Sequence, residues 1–461
     1  MSTILHPSNA APFSRRNFLA SSAAGATALA ALPIERFAHA ASPGDTIKVA
    51  LIGCGGRGSG AADQALSTGE SVKLVAAADV HPDRMKGSLG NLARKHKEKV
   101  QIKDENQFIG FDAYKKAIAL ADLVILATPP GFRPMQFEEA VRQGKHVFME
   151  KPVCVDAPGF RKVMAAAEEA KKKKLKVGVG LQRHHQLGYL ETMKRIWDGQ
   201  IGDIVAMRAY WNGNTPWLHK RADLEAQHGR KLTEMEYQLR NWYYFVWLCG
   251  DHICEQHIHN LDVINWLKKG HPVRARGNGG CETRKGKDYG EIFDHHVVEF
   301  TYEDGSVCFS QCRHQMGCWN EVAEYAIGTK GRSELHRHVI TGENAWRHQG
   351  GGKDAYQQEH DDLFDAIRND KPFSEAEYGA ISSMTAVLGR MATYSGKEIS
   401  WDAAVASDID TMVPGIDKGS FTDALKLNPL SMPLAEGGYQ LPVPGRTDVL
   451  RAPKAPTPKS A

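Results

Sequence analysis

The chain has no strong charge of either sign. Its 461 residues carry 58 Lys and Arg against 54 Asp and Glu, a formal net charge of +4. So even a balance gives no reason to expect a nucleic-acid partner, whose binders concentrate basic residues on one face. Cysteine is sparse and unpatterned: the 8 residues form no CxxC and no zinc-finger spacing, and they read as scattered small hydrophobes. Cys308 and Cys312, four apart in a strand-like run, are expected to face the same way without being bonded. No HExxH occurs, and no metal is expected. Beyond the N-terminal leader, no stretch is long and apolar enough to span a bilayer.

What is present is enough apolar residue for a large core, 42% of the chain, at a length that favours two domains. The first 40 residues read separately. Ser14-Arg15-Arg16-Asn17-Phe18-Leu19-Ala20 is a twin-arginine motif, an Ala-rich segment runs from Ser21 to Pro33, and Ala38-His39-Ala40 offers a small-residue cleavage site. The order resembles a signal of the twin-arginine pathway, which exports folded proteins, and implies a periplasmic or otherwise exported chain. The expected divisions are a signal peptide over 1–40, a dinucleotide-binding domain over 45–180, an α+β domain over 181–405 whose late helices pack back on the first, and a Pro- and Gly-rich arm over 406–461.

In the first division, Ile47–Ile52, Val72–Ala78, Leu123–Ala127, His146–Met149 and Leu175–Val179 are short, almost wholly apolar runs separated by helical segments. That pattern predicts an α/β fold with a parallel sheet covered on both faces. After about Leu181 the strands lengthen and alternate, and Glu303-Asp304-Gly305 reads as a hairpin turn, so an open, mostly antiparallel sheet is expected there. Gly53-Cys54-Gly55-Gly56-Arg57-Gly58 lies between a strand and a helix. Gly53 suits the tight turn, Gly55 close approach to a pyrophosphate, and Gly58 helix–strand packing, with Gly56 and Arg57 beside the same ligand. Asp79 ends the second strand, where a carboxylate can accept from both ribose hydroxyls and repel a 2′-phosphate. NAD is therefore the expected cofactor. Thr128, Pro129 and Glu150, at later strand ends, complete its expected surroundings.

Three places are candidates for chemistry. Lys151 follows Glu150 at the C-terminal end of a parallel strand, where ligands bind. Beside a positive nicotinamide its ammonium is disfavoured, which suits a proton acceptor or donor. Asp251-His252-x-x-Glu255-x-His257-x-His259-x-x-Asp262 would, on one regular helix, set His252, Glu255, His259 and Asp262 on one face, with a carboxylate fixing the tautomer of His259 as it takes a hydroxyl proton. A His/Glu zinc site is the rival reading of this run, and a buried structural histidine network is another. The third place, Arg183 and His184 with Tyr210, Trp211 and Asn212, offers polar groups and rings for a sugar; ordinary interface packing is the alternative.

These motifs, with Ala127-Thr128-Pro129-Pro130, the run Gly144 to Pro152 and His259-x-x-Asp262, resemble the glucose–fructose oxidoreductase / inositol dehydrogenase / rhizopine-catabolism family. The resemblance spans roughly residues 47–405. It implies a Rossmann domain followed by an open-sheet substrate domain, homodimers or homotetramers formed largely through those sheets, Lys151 as the catalytic lysine and His259 as the catalytic histidine. Where many members carry Asp four residues before that histidine, this chain has Glu255. The implied activity is hydride transfer between tightly held NAD(H) and a sugar or glycoside, since an exported enzyme has no dependable pool of free cofactor and must recycle it with a second carbonyl compound. Redox-neutral glycoside cleavage, through transient oxidation, elimination, water addition and re-reduction, is the alternative, and a non-catalytic sugar sensor is a further one.

Overall fold

A computed structural model describes residues 45–451; the twin-arginine segment lies outside the described residues. Two sheets organise the chain. The first has six strands, β1 (Ile47–Ile52), β2 (Val72–Asp79), β3 (Gln107–Ile109), β4 (Leu123–Leu126), β5 (His146–Met149) and β6 (Val177–Val179), in the spatial order β3-β2-β1-β4-β5-β6. Every pairing in it is parallel. β1, β4 and β5 are apolar except for Lys48 and His146 because helices cover both faces, and their central residues are fully buried. The order reverses direction between β1 and β4, and their C-terminal ends form the crevice where such sheets bind ligands.

The second sheet has nine strands: β7 (Ile204–Gly213), β8 (Arg274–Gly280), β9 (His295–Thr301), β10 (Val307–His314), β11 (Glu321–Gly328), β12 (Gly331–Glu334), β13 (Val339–Gly342), β14 (Trp346–Arg347) and β15 (Ile399–Ser400). Their spatial order is β14-β13-β12-β11-β7-β10-β9-β8-β15. All pairings are antiparallel except β7 with β10. Alternation is clear in β10, where Cys308, Ser310, Cys312 and His314 are buried and Phe309 is exposed on the opposite face. Cys308 and Cys312 share that inner face as free thiols. Helices Ile258–Lys268 and Ala376–Ser395 cover the inner face, and the second of these also packs on helix Ala157–Lys172 of the first half. Helix Ala355–Arg368 packs on helix Gly56–Ser67.

Two expectations are corrected. The run from Asp251 to Asp262, read on one regular helix, is split between His252–Glu255 and Ile258–Lys268, and Trp242–Tyr244 and Val246–Cys249 precede it as further short pieces. Gly250 (φ +75°) and Asp251 (φ +75°) separate it from the preceding piece, and the break within it falls at Gln256-His257. The segment after Ser407, read as an arm or tail, folds onto its own chain through residue 451: Val413, Ile416, Ala424 and Tyr439 are buried in one apolar cluster with Phe111, Phe132 and Trp247.

Candidate functional site

The glycine loop is fixed by close backbone approaches. Gly53 has φ +92°, and a Cβ there would come within 2.5 Å of the Ala127 carbonyl carbon. At Gly58 a Cβ would lie 2.0 Å from the Gly53 carbonyl oxygen, so helix Gly56–Ser67 can sit this close to β1 only without a side chain. Gly55 and Gly56 differ. A Cβ on Gly55 would meet nothing nearer than the Arg84 guanidinium at 3.9 Å, and one on Gly56 nothing within 4 Å. Both line a cleft of about 620 Å³, so their missing side chains widen the cleft at the helix N-terminus. That helix carries no acid in its first turn, and its unpaired N–H groups and dipole favour an anion there. Asp79 accepts from the Cys54 N–H (2.6 Å) and the His81 N–H (2.8 Å), which holds its carboxylate at the cleft wall. Burial raises its pKa; these bonds and the Arg84 charge oppose the rise. An extended dinucleotide fits this donor set, with pyrophosphate at the loop and ribose at Asp79.

Farther along the same cleft, Arg133 is fully buried, and burial lowers its pKa to about 10. It donates to the Thr128 carbonyl (2.7 Å) and the Glu150 carbonyl (3.0 Å), bracing two strand ends together. The Thr128 hydroxyl donates to Gln136 (2.7 Å). Glu150 forms an ion pair with Arg57, Nε to Oε1 2.7 Å, while the Arg57 guanidinium lies over the Tyr356 ring at 4.9 Å.

Lys151 donates to the Glu255 carboxylate (Nζ to Oε1 3.0 Å) and also to its backbone carbonyl. His259 lines the cleft with them. Its ring stacks on Trp211 (centroids 5.9 Å, 24°), and its Nδ1 has no hydrogen-bond partner among the described residues. Burial, with Lys151 and Arg183 nearby, holds its pKa well below the ordinary histidine value, so the ring is neutral and able to accept a proton.

The carboxylate expected to orient His259 is not there: the helix break gives Glu255 to Lys151, and Asp262, on the same helix as His259, is taken up by other partners. Asp262 accepts from Ser382 (2.8 Å) and pairs with His184 (2.8 Å). His184 is stacked between Trp266 and Tyr378, ring centroids 4.2 and 4.4 Å away. Arg183 pairs with the buried Glu324, which also accepts from Tyr189 (3.0 Å). Tyr210 faces Trp319 and Tyr325 on the opposite side of the sheet from Trp211. Asn212 is buried. None of Arg183, His184, Tyr210, Trp211, Asn212 and Asp262 lines the cleft; Trp211 reaches it only through His259.

His252, expected on the face of Glu255, belongs to a separate buried group. Its Nδ1 meets the Asp251 carboxylate at 2.8 Å, and Asp251 also accepts from the Phe293 N–H (2.9 Å) and the Tyr394 hydroxyl (2.5 Å). Together with His296, the ligand atoms of this group lie within 4.8 Å of one another. Residues 217–242 supply wall residues that the sequence did not single out: Trp217, His219, Leu239 and Trp242. Their signal was the richness of that loop in Trp and His, but nothing local says which way it folds.

Residues 47–180 match the Gfo/Idh/MocA family, described as an oxidoreductase family with NAD-binding Rossmann fold. A 2,7-anhydro-N-acetylneuraminate hydratase of Escherichia coli K12 is 25% identical over 227 residues, 48% of this chain and 54% of that protein. An inositol 2-dehydrogenase of Salmonella typhimurium LT2 is 26% identical over 222 residues, with the same shares covered. The chain thus spans about half the length of these curated relatives. Among solved structures, an aldose-aldose oxidoreductase of Caulobacter crescentus superposes with a TM-score of 0.60 at 16% identity, covering 77% of this chain and 99% of the other. A scyllo-inositol dehydrogenase of Lactobacillus casei, solved with NAD(H) and scyllo-inositol, gives 0.57 at 20% identity, covering 78% and 100%. These likenesses establish the two-sheet fold.

Proposed function

From the membership of residues 47–180 in this NAD-binding oxidoreductase family, we propose that the protein moves hydride between NAD(H) and a hydroxyl-bearing carbon of a sugar, polyol or glycoside. The observation that carries the reading is convergence. The glycine loop, Asp79, Lys151, Glu255 and His259 come from distant parts of the chain and line one cleft. When bound, NAD supplies the hydride acceptor. Gly53, Gly55, Gly56, Arg57 and Asp79 bind and orient it, Gly58 lets the helix sit close behind them, and Thr128, Pro129 and Glu150 lie around its far end. His259, neutral and at the cleft wall, takes the substrate hydroxyl proton. Lys151, steadied by Glu255, donates a hydrogen bond to the same oxygen and stabilises the charge that develops on it.

The twin-arginine leader supports an exported protein that keeps its cofactor and recycles it with a second carbonyl compound. The open face of the second sheet supports a homodimer or homotetramer: Phe309 and Val297 stand exposed on adjacent strands there. No helix among the described residues is long and apolar enough to cross a membrane.

Purified protein, mixed with sugars and glycosides, should change absorbance at the reduced-nicotinamide band, and the change should reverse on adding a carbonyl acceptor. Absence of any nucleotide, both released on denaturation and taken up on titration, would overturn the reading. Redox-neutral glycoside cleavage draws support from two observations: one relative bears the name of a hydratase, and Glu255 puts a carboxylate in the cleft besides His259. Release of aglycone with solvent deuterium entering the sugar would select it.

A further inference from the structure

The wall contributed by residues 217–242 lines the same cleft as Lys151 and His259 and also as His81, Arg84 and Asp79. Trp217 and His219 are neighbours (ring centroids 5.2 Å), and Trp217 and Trp242 stand 6.2 Å apart. Burial, with the Arg84 and Arg240 charges, holds the His219 pKa down. Three aromatic rings therefore share the cleft with Asp79 and Arg84.

This wall is tied to the first half directly. Arg240 grips Asp83 with two hydrogen bonds of 2.8 Å. His81, kept neutral by burial with a pKa near 3, makes a hydrogen bond to the Leu239 backbone. Within the wall, His219 and Asn241 exchange backbone–side-chain hydrogen bonds, both 2.9 Å. The C-terminal segment then bridges the same two parts from outside. On one side, Asp417 binds Lys115 (2.8 Å) and Phe421 packs on Phe111 (5.6 Å). On the other, the Ser431 carbonyl accepts from Gln238 (2.6 Å), and Tyr439 packs edge-on against Phe245 (5.0 Å).

We propose that Trp217, His219 and Trp242 form an adenine-binding wall, and that the Arg240–Asp83 pair and the 406–451 segment latch it shut over the adenosine half of the dinucleotide. The proposal rests on the NAD(H) reading above and adds the residues that keep the cofactor from leaving. Planar rings offer an adenine base stacking area, and adjacent guanidinium groups favour its phosphates. A ligand so enclosed leaves only after the latch opens, so the release rate reports latch strength.

The test uses full-length protein loaded with NADH and follows release by loss of Trp-to-nicotinamide energy transfer after mixing with excess NAD. Arg240→Ala and Asp417→Asn should each speed release tenfold or more, and the charge-swapped pair Asp83→Arg with Arg240→Asp should restore slow release relative to either single swap. Trp217→Phe should remove a large share of the energy transfer while protein and NADH remain bound. Reduced nicotinamide mononucleotide, which lacks adenosine, should leave at the same rate from Arg240→Ala as from the parent. Release of NADH at the parental rate from both latch variants overturns the latch, and so does equal acceleration of the mononucleotide. Either result leaves the cofactor reading intact. A chain that takes up no NADH at all overturns both.

Discussion

The two ends of the cleft are built by different means. At the glycine loop the geometry is set by backbone: Gly53 and Gly58 are pressed against main-chain atoms, and a run of six residues carries the whole feature. At the chemical end, single side-chain atoms from three separate elements must meet: Lys151 after β5, Glu255 on a four-residue helix, and His259 on the next helix. A backbone-built site fails through misfolding, whereas a side-chain-built site fails silently, with fold intact and rate lost.

The sharpest break of that contrast is Lys151→Ala. It should lower kcat by about 10³-fold, within the span of acid–base and electrostatic losses, while NADH uptake and the thermal midpoint change little. A single-turnover measurement beside a melting curve checks it. Gly58→Ala should do the reverse. Its Cβ would meet the Gly53 carbonyl, so unfolding free energy in urea should drop by about 3 kcal/mol, at the upper end of ordinary single-site losses.

His259→Asn should cost about 10²-fold in kcat with modest change in stability. Because burial keeps His259 neutral in the parent, the parental log kcat should stay flat between pH 8 and 6 at saturating substrate, with no break near 6.5. An inflection there would show that the imidazole titrates as an exposed one does. Stability should nevertheless fall in acid. His252, with a folded pKa near 4, and His257 and His360, near 3, are depressed by burial. Their contribution is therefore complete above the unfolded value of about 6.5 and is lost as pH falls from there toward 4 and 3. His185, raised to about 10 by Asp362 and Glu375 against the opposing effect of its burial, acts in the other sense. Its contribution is complete below about 6.5 and lost as pH rises through 10. Thermal melts from pH 8 to pH 5 should show the acid loss.

The smallest effect expected is at His184. Stacked between two rings and paired with Asp262, it should on replacement by Ala cost about 1 kcal/mol of stability and leave KM for the sugar unchanged. A raised KM at unaltered stability would return it to the substrate site.

How far the sequence could be read follows the same division. Apolar runs ending in Gly53, Asp79 and Glu150 announced a parallel sheet and its ligand edge, because burial on both faces leaves no other pattern. Lys151 and His259 were legible from short motifs. The relation of Glu255 to His259 was not, since nothing in Gln256-His257 marks a helix break. That break depends on tertiary contacts, such as the bond of His257 to Ser310 (2.7 Å). Arg183, His184 and Asp262 looked like sugar ligands by residue type, yet their partners Glu324, Tyr378 and Ser382 lie 120 or more positions away. Trp217 and Trp242 were invisible for the same reason.

The apolar cluster that joins Phe111, Trp247 and Tyr439 has a consequence for biosynthesis. Its last members, Ile416, Ala424 and Tyr439, come after every strand of both sheets in the chain. The parallel sheet can therefore assemble while translation continues, but the cover over Phe111 forms only after Tyr439 has emerged. A chain cut before Ile416 would leave Phe111 without the packing that Ile416, Ala424 and Tyr439 supply.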